Sequence, residues 1–210
     1  MEIIKIKDQQ KISKAVVKKI SVPLLEEKTL ILPAATIYGL SCKFDSRAAI
    51  ENIYRIKRRK KELPFIILIS NMSSLKDMVD SISPAADKLI EKYWNLKEPR
   101  PLTIIFKKNK GLEDFMTGGS PNIAIRIAGL EFVRQLIDIC GPIVSTSATI
   151  SGTKDPPLEI KDIPRSIKEE ADLIVDWGRP LPGIQSTIID ASRHSPELVR
   201  EGAVKLENSL

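Results

Sequence analysis

The chain has 210 residues, 42% hydrophobic and 29% charged, which is enough apolar material for the core of one ordinary domain and too much for a disordered tail. Lys and Arg number 33 against 27 Asp and Glu, a net charge of +6 that favours anionic partners. No apolar run approaches the roughly 18 residues of a membrane span, and the N-terminus is charged where a signal peptide turns apolar. Two cysteines, Cys42 and Cys140, are too few for a disulfide scaffold or a Cys-based zinc site, and the expected setting is reducing and cytoplasmic.

A single histidine, His194, lies in a polar stretch and reads as an exposed loop residue. It leaves no HExxH zinc motif, and any nucleophile–histidine pair would have to use it. Neither GxxxxGK[ST] nor GxGxxG occurs, so a P-loop and a standard dinucleotide fold are not signalled. Chemistry must then run on Lys, Arg, Ser, Thr, Tyr and backbone amides, which points toward anion handling.

In chain order, Lys11 to Ile20 has the apolar spacing of an amphipathic helix, and Thr29 to Leu32 is a short strand closed by Pro33. Ala34 to Tyr38 ends in Gly39, where a tight turn is expected. Asp45 and Ser46 offer an N-cap for a helix reaching Lys57. Phe65 to Ile69 is a buried strand, followed by helices at about Ser73–Ser81 and Pro84–Trp94. Strands at Leu102–Phe106 and Ile123–Ile127 precede a helix at about Leu130–Cys140, which Gly141 and Pro142 stop before a strand at Ile143–Ser145. Asp172–Val175, Thr187–Asp190 and Leu198–Arg200 complete the strands of an α/β or α+β domain.

Four polar segments sit at the ends of these elements. The basic run Arg55, Lys57, Arg58, Arg59, Lys60 and Lys61 is either a solvated helix end that complements the dipole or a site for phosphates. Ser145 to Gly152 follows a strand and is either a phosphate-binding loop or a hydroxyl-rich turn capping its own backbone. Thr117 to Ser120 leads to a strand in which Arg126 faces either a cavity or solvent. Gln185, Ser186 and Thr187 precede the last pair of strands, which ends in Arg200, Glu201 and Gly202.

Taken in order, these segments resemble the YrdC-like family, whose well-studied members are threonylcarbamoyl-AMP synthases. The residues that carry the resemblance are Pro33-x-x-Thr36-Ile37-Tyr38-Gly39-Leu40, Lys57-Arg58-Arg59, Pro64-Phe65-Ile66-Ile67, Arg100-Pro101-Leu102-Thr103 and Ala124-Ile125-Arg126. Ser145 to Gly152 (STSATISG), Ser186 to Asp190 and Leu198 to Gly202 continue it. The STSAxISG stretch is the most specific piece. The likeness runs from roughly Ile12 to Val204 as one YrdC-like domain, leaving no segment for the extra C-terminal domain of longer relatives.

The resemblance implies a twisted mixed sheet flanked by helices, with a large basic concave cavity. It implies a reaction in which L-threonine and bicarbonate give an N-carboxylated threonine that attacks the α-phosphate of ATP. Pyrophosphate leaves, and threonylcarbamoyl-AMP passes to the downstream transferase machinery that modifies tRNA. ATP is a substrate, Mg2+ is carried with it, and no metal is held by the protein. Lys57 and Arg59 would be catalytic and bind ATP together with Ser147 and its following amides, Thr149 and Arg200. Thr36, Tyr38, Arg126, Ser145 and Ser186 would bind threonine, with Arg126 taking its carboxylate.

Several positions depart from the family pattern: Ala34 and Ala35 for Thr and Glu, Arg58 for Gly, Leu63 for a polar residue, Leu68 for His, Ala128 for Pro and Thr149 for Asn. They fall mostly on the amino-acid side. Two alternatives follow: a paralogue acting on a different carbamoyl or amino-acid substrate, and a non-enzymatic module binding tRNA or double-stranded RNA.

Overall fold

The computed structural model describes residues 2–153, 155–193 and 195–206, so His194 lies outside the described residues. The chain opens with a strand at Glu2–Lys5 (β1), which its charged composition had hidden. Ser13 then caps a helix at Lys14–Leu25 (α1), starting three residues later than the apolar spacing suggests and running on through Pro23. Leu30–Pro33 (β2) and Tyr38–Lys43 (β3) form an antiparallel pair.

The turn between them is Ala34 to Ile37, closed by the Ala34 amide on the Ile37 carbonyl at 3.0 Å, with Ala35 at φ +67°. Gly39 is therefore inside a strand, not in a tight turn. Its lack of a side chain serves close approach, because a Cβ there would stand 2.5 Å from Ser145 Oγ.

Ser46 caps Arg47–Lys57 (α2) by accepting from the Ala49 amide at 3.2 Å, and the helix ends on Arg58 in the left-handed region at φ +50°. The expected helix after Ile66–Ile69 (β4) shrinks to one turn at Leu75–Met78 (α3). Val79 pairs instead with Lys108, and the Asp80 amide donates to the Lys107 carbonyl at 3.0 Å, so a strand end takes over backbone that a longer helix would use. Pro84–Tyr93 (α4), Leu102–Lys107 (β5), Asn122–Ile127 (β6) and Glu131–Cys140 (α5) follow as their patterns predict. Ile143–Ser147 (β7), Arg165–Glu170 (α6), Leu173–Asp176 (β8), Thr187–Asp190 (β9) and Glu197–Arg200 (β10) complete the chain, α6 being unforeseen.

The ten strands form one mixed sheet in the order β1-β8-β2-β3-β7-β4-β6-β5-β9-β10, flanked by helices as expected. In the middle of it β3, β7 and β4 pair antiparallel, and β4 pairs parallel to β6. Alternation sends Leu40, Cys42, Ile67, Ile69, Val144 and Ile125 into the core, each fully buried, where α1 and α2 pack on β3 and α5 on β4. Burial of each large side chain of this set stabilises the fold by about 1.5–3 kcal/mol.

Two stability predictions follow from the backbone. Arg58→Gly relieves a side chain in the left-handed region and should raise stability by about 0.5–1 kcal/mol, read as a higher denaturant midpoint at unchanged slope; a lower midpoint would contradict the cap geometry. Gly39→Ala should cost about 1–3 kcal/mol by wedging β3 from β7, and Ser145→Ala in the same chain should return most of it. Failure of that second change to help would mean the contact is not the cause.

Candidate functional site

The face of the sheet opposite the core carries polar groups where its central strands meet. Gly39 pairs with Ser147, Ile66 with Ser145 and Leu68 with Arg126, so β3, β7, β4 and β6 present these residues side by side. The turn at Ala34–Ile37 forms one wall, the segment after α2 with Arg59 and Phe65 a second, and Gln185, Ser186 and Arg200 a third. They enclose a cavity of about 270 Å³ that none of the Asp or Glu side chains of the described residues lines.

Three arginines enter it, each held by neutral oxygens. Arg126 is buried; its Nη2 donates to the Ala34 carbonyl at 3.0 Å, while its Nε is buried with no partner. Burial, and then the Arg200 charge, push its pKa down to about 10. Arg200 donates to the Ser186 carbonyl at 3.0 and 2.8 Å, to Ser186 Oγ at 3.1 Å and to Gln185 Oε1 at 2.5 Å. Arg59 donates to the Leu63 and Pro64 carbonyls at 3.2 and 3.1 Å, with its guanidinium 5.3 Å from the Phe65 ring centroid. Burial lowers the pKa of both Arg59 and Arg200. The hydroxyls complete the lining. Ser41 Oγ donates to Ser145 Oγ at 3.3 Å, Ser186 Oγ shares a bond of 2.8 Å with Thr103 Oγ1, and Thr36 Oγ1 donates to the Ala34 carbonyl at 3.4 Å.

Seven of the expected site residues therefore border one hollow: Thr36, Arg59, Arg126, Ser145, Ser147, Ser186 and Arg200. Three do not. Tyr38 precedes Gly39 on β3, so its side chain takes the other face, where its hydroxyl accepts from the Trp177 amide at 2.8 Å. Lys57 is 1% exposed and Thr149 5%, and neither lines the cavity, although both bond to Ser147, which does. The Lys57 ammonium donates to the Ser147 and Thr149 carbonyls and to Ser147 Oγ. Burial, and then the Arg59 charge, lower its pKa to about 7.

The amides expected to cradle phosphate are also engaged. Ala148 N donates to the Tyr38 carbonyl at 2.9 Å, Thr149 N to the Ser147 carbonyl at 2.8 Å and Ser151 N to the Lys57 carbonyl at 3.0 Å. The loop offers the cavity the Ser147 hydroxyl in their place.

A second hollow of about 1160 Å³ meets the first at Thr36 and Arg126. Phe132, Arg134 and Trp177 lie on its wall, and sequence reasoning missed them. Arg134 pairs with Glu131 three residues earlier on α5, which in sequence reads as an ordinary solvated helix face. Among the described residues, no group of three or more His, Cys, Asp and Glu is placed to hold a metal ion, and no helix is long and apolar enough to cross a membrane.

The Sua5/YciO/YrdC family model, described as "Telomere recombination", matches residues 23–202. The threonylcarbamoyl-AMP synthase of Pyrococcus abyssi is 31% identical over 183 residues, covering 87% of this chain and 52% of the relative. That of Bacillus subtilis is 30% identical over 186 residues, with 88% and 52% covered. This chain thus spans about half the length of these relatives. The crystal structure of P. abyssi Sua5 complexed with L-threonine superposes with a TM-score of 0.86 at 28% identity, over 96% of this chain and 58% of that one. With a model match over most of its length and that likeness in fold, the chain belongs to the Sua5/YciO/YrdC family.

Proposed function

We propose that the protein is a threonylcarbamoyl-AMP synthase, a nucleotidyltransferase that joins N-carboxylated L-threonine to the α-phosphate of ATP with release of pyrophosphate. The observation that carries this reading is the convergence of Arg59, Arg126 and Arg200 on one cavity that no acidic side chain of the described residues lines. Cations held by neutral carbonyls keep their charge uncompensated, and an anionic ligand supplies the missing partner. The names of the P. abyssi and B. subtilis relatives, and the threonine complex of P. abyssi Sua5, support the same choice of substrates.

In this reading Arg126 takes the threonine carboxylate with its fork of donors, its buried Nε included. Thr36, Ser145 and Ser186 surround the rest of the amino acid. Arg59, Arg200 and the Ser147 hydroxyl face the phosphates. Attack of the carbamate oxygen on the α-phosphorus moves charge onto the bridging oxygen as the bond to pyrophosphate breaks, and fixed cations stabilise that charge without reorganising. Mg2+ carried with ATP would screen the triphosphate charge that Arg59 and Arg200 face. Bicarbonate supplies the carbamate carbon, and the product passes to the machinery that modifies tRNA. The cations used here stand inside a hollow and not along an open face, which favours a small anionic substrate over an RNA duplex.

Pyrophosphate release from ATP should require both L-threonine and bicarbonate; release that ignores threonine, or none at all, would overturn the assignment. Arg126→Gln should raise the KM for threonine at least about tenfold, with the KM for ATP within about threefold, the scale of one lost charged hydrogen-bond pair. An unchanged threonine KM would remove Arg126 from the substrate.

A further inference from the structure

The buried ammonium of Lys57 has a role distinct from that of the arginines beside it. It closes α2, and its side chain crosses beneath the strand end to the loop after β7, some ninety residues later in the chain. Its three donors meet three acceptors: the Ser147 carbonyl, the Thr149 carbonyl at 2.6 Å and Ser147 Oγ at 3.4 Å. An ammonium has three N–H groups, so none remains for a ligand. The Lys57 carbonyl accepts from the Ser151 amide at 3.0 Å, so backbone and side chain grip the same loop from two sides. Lys57 lines neither of the two hollows, and the like charge of Arg59 acts on it to lower its pKa.

Burying an ammonium beside another cation is costly, and an apolar side chain of the same length would avoid that cost. What the ammonium adds is direction at Ser147. Ser147 Oγ lies 2.9 Å from Thr149 Oγ1 and within reach of the Lys57 ammonium. A hydroxyl oxygen has two lone pairs and one hydrogen. Either hydroxyl of that pair can donate; with Thr149 as donor to one lone pair and Lys57 to the other, the Ser147 hydrogen is free for an acceptor in the cavity that Ser147 lines.

We propose that Lys57, together with Thr149, is a positioning residue that sets the Ser147 hydroxyl as a donor to a phosphate oxygen, without touching the ligand itself. This rests on the reading of the cavity as a phosphate site. It assigns a use to two side chains that do not line the cavity.

The wild-type protein gives the first test. Treated with an amine-acylating reagent and mapped by mass spectrometry, Lys57 should stay unmodified with or without inorganic pyrophosphate, while the exposed Lys60 and Lys61 react. Acylation of Lys57 in the free protein and its protection by pyrophosphate would overturn the proposal. The second test is a cycle of Lys57→Met and Ser147→Ala, read by calorimetric binding of pyrophosphate. Each single change should weaken binding about tenfold, and the double change should fall within about twofold of the weaker single one. Losses that multiply to about a hundredfold would mean that Lys57 acts independently of Ser147.

In steady state, Lys57→Met should raise the KM for ATP about tenfold with kcat within about threefold. A purely structural lysine would lower kcat through lost folded enzyme and leave KM unchanged. Should Lys57→Met fail to fold, Thr149→Val takes its place in the cycle with the same expectation. Absence of pyrophosphate binding to the wild type would overturn the phosphate reading, while the acylation result decides the placement of Lys57 by itself.

Discussion

Everything at this site depends on cationic side chains, Arg126 and Lys57 buried and Arg59 and Arg200 half-buried, that have no carboxylate partner among the described residues. Arg126, Arg200, Arg59 and Lys57 are each held by carbonyl or hydroxyl oxygens. A carboxylate partner would satisfy them at lower cost and cancel the field in the cavity. Neutral acceptors hold the same groups in position and leave their charge uncompensated. The low pKa values of Arg126 and Lys57 report the expense of that arrangement, with burial as the first cause in both.

The fold meets this constraint through the alternation of its central strands. One face of β3, β7, β4 and β6 is apolar and buried under helices, and the other supplies Gly39, Ser145, Ser147, Leu68 and Arg126 within adjacent register positions. Gly39 lets the Ser145 hydroxyl fill the space of a side chain, so that β3 and β7 close up beneath the cavity. The turn that presents the Ala34 carbonyl to Arg126 carries Ala35 at φ +67°, a conformation that costs an alanine about 1–2 kcal/mol. Strain and uncompensated charge thus occupy the same few residues, and the apolar face of the sheet offsets them.

Much of this architecture is legible in the amino-acid order. Ser46 before α2, the apolar run of β4, and Gly141 after α5 mark their elements because capping and periodicity act over a few residues. Where reading failed, a distant partner had intervened. The Ser73–Ser81 stretch loses its helix to Lys107 and Lys108, Tyr38 to Lys43 becomes a strand because β2 and β7 lie on either side, and β1 is a strand through its pairing with β8. Nothing local to those segments encodes such partners.

The site divides in the same way. Composition and motif order by themselves pointed to anion handling by arginines and hydroxyls, since one histidine and two cysteines narrow the choice of other chemistry. Only the tertiary structure decided which of those groups reach the hollow. Arg59 borders it and Lys57, two residues earlier, does not; Ser147 borders it and Thr149 does not. The reason is geometric. A side chain's direction follows from the face of its strand or the end of its helix, and whether that direction leads to a ligand or to another loop depends on packing between residues some ninety positions apart.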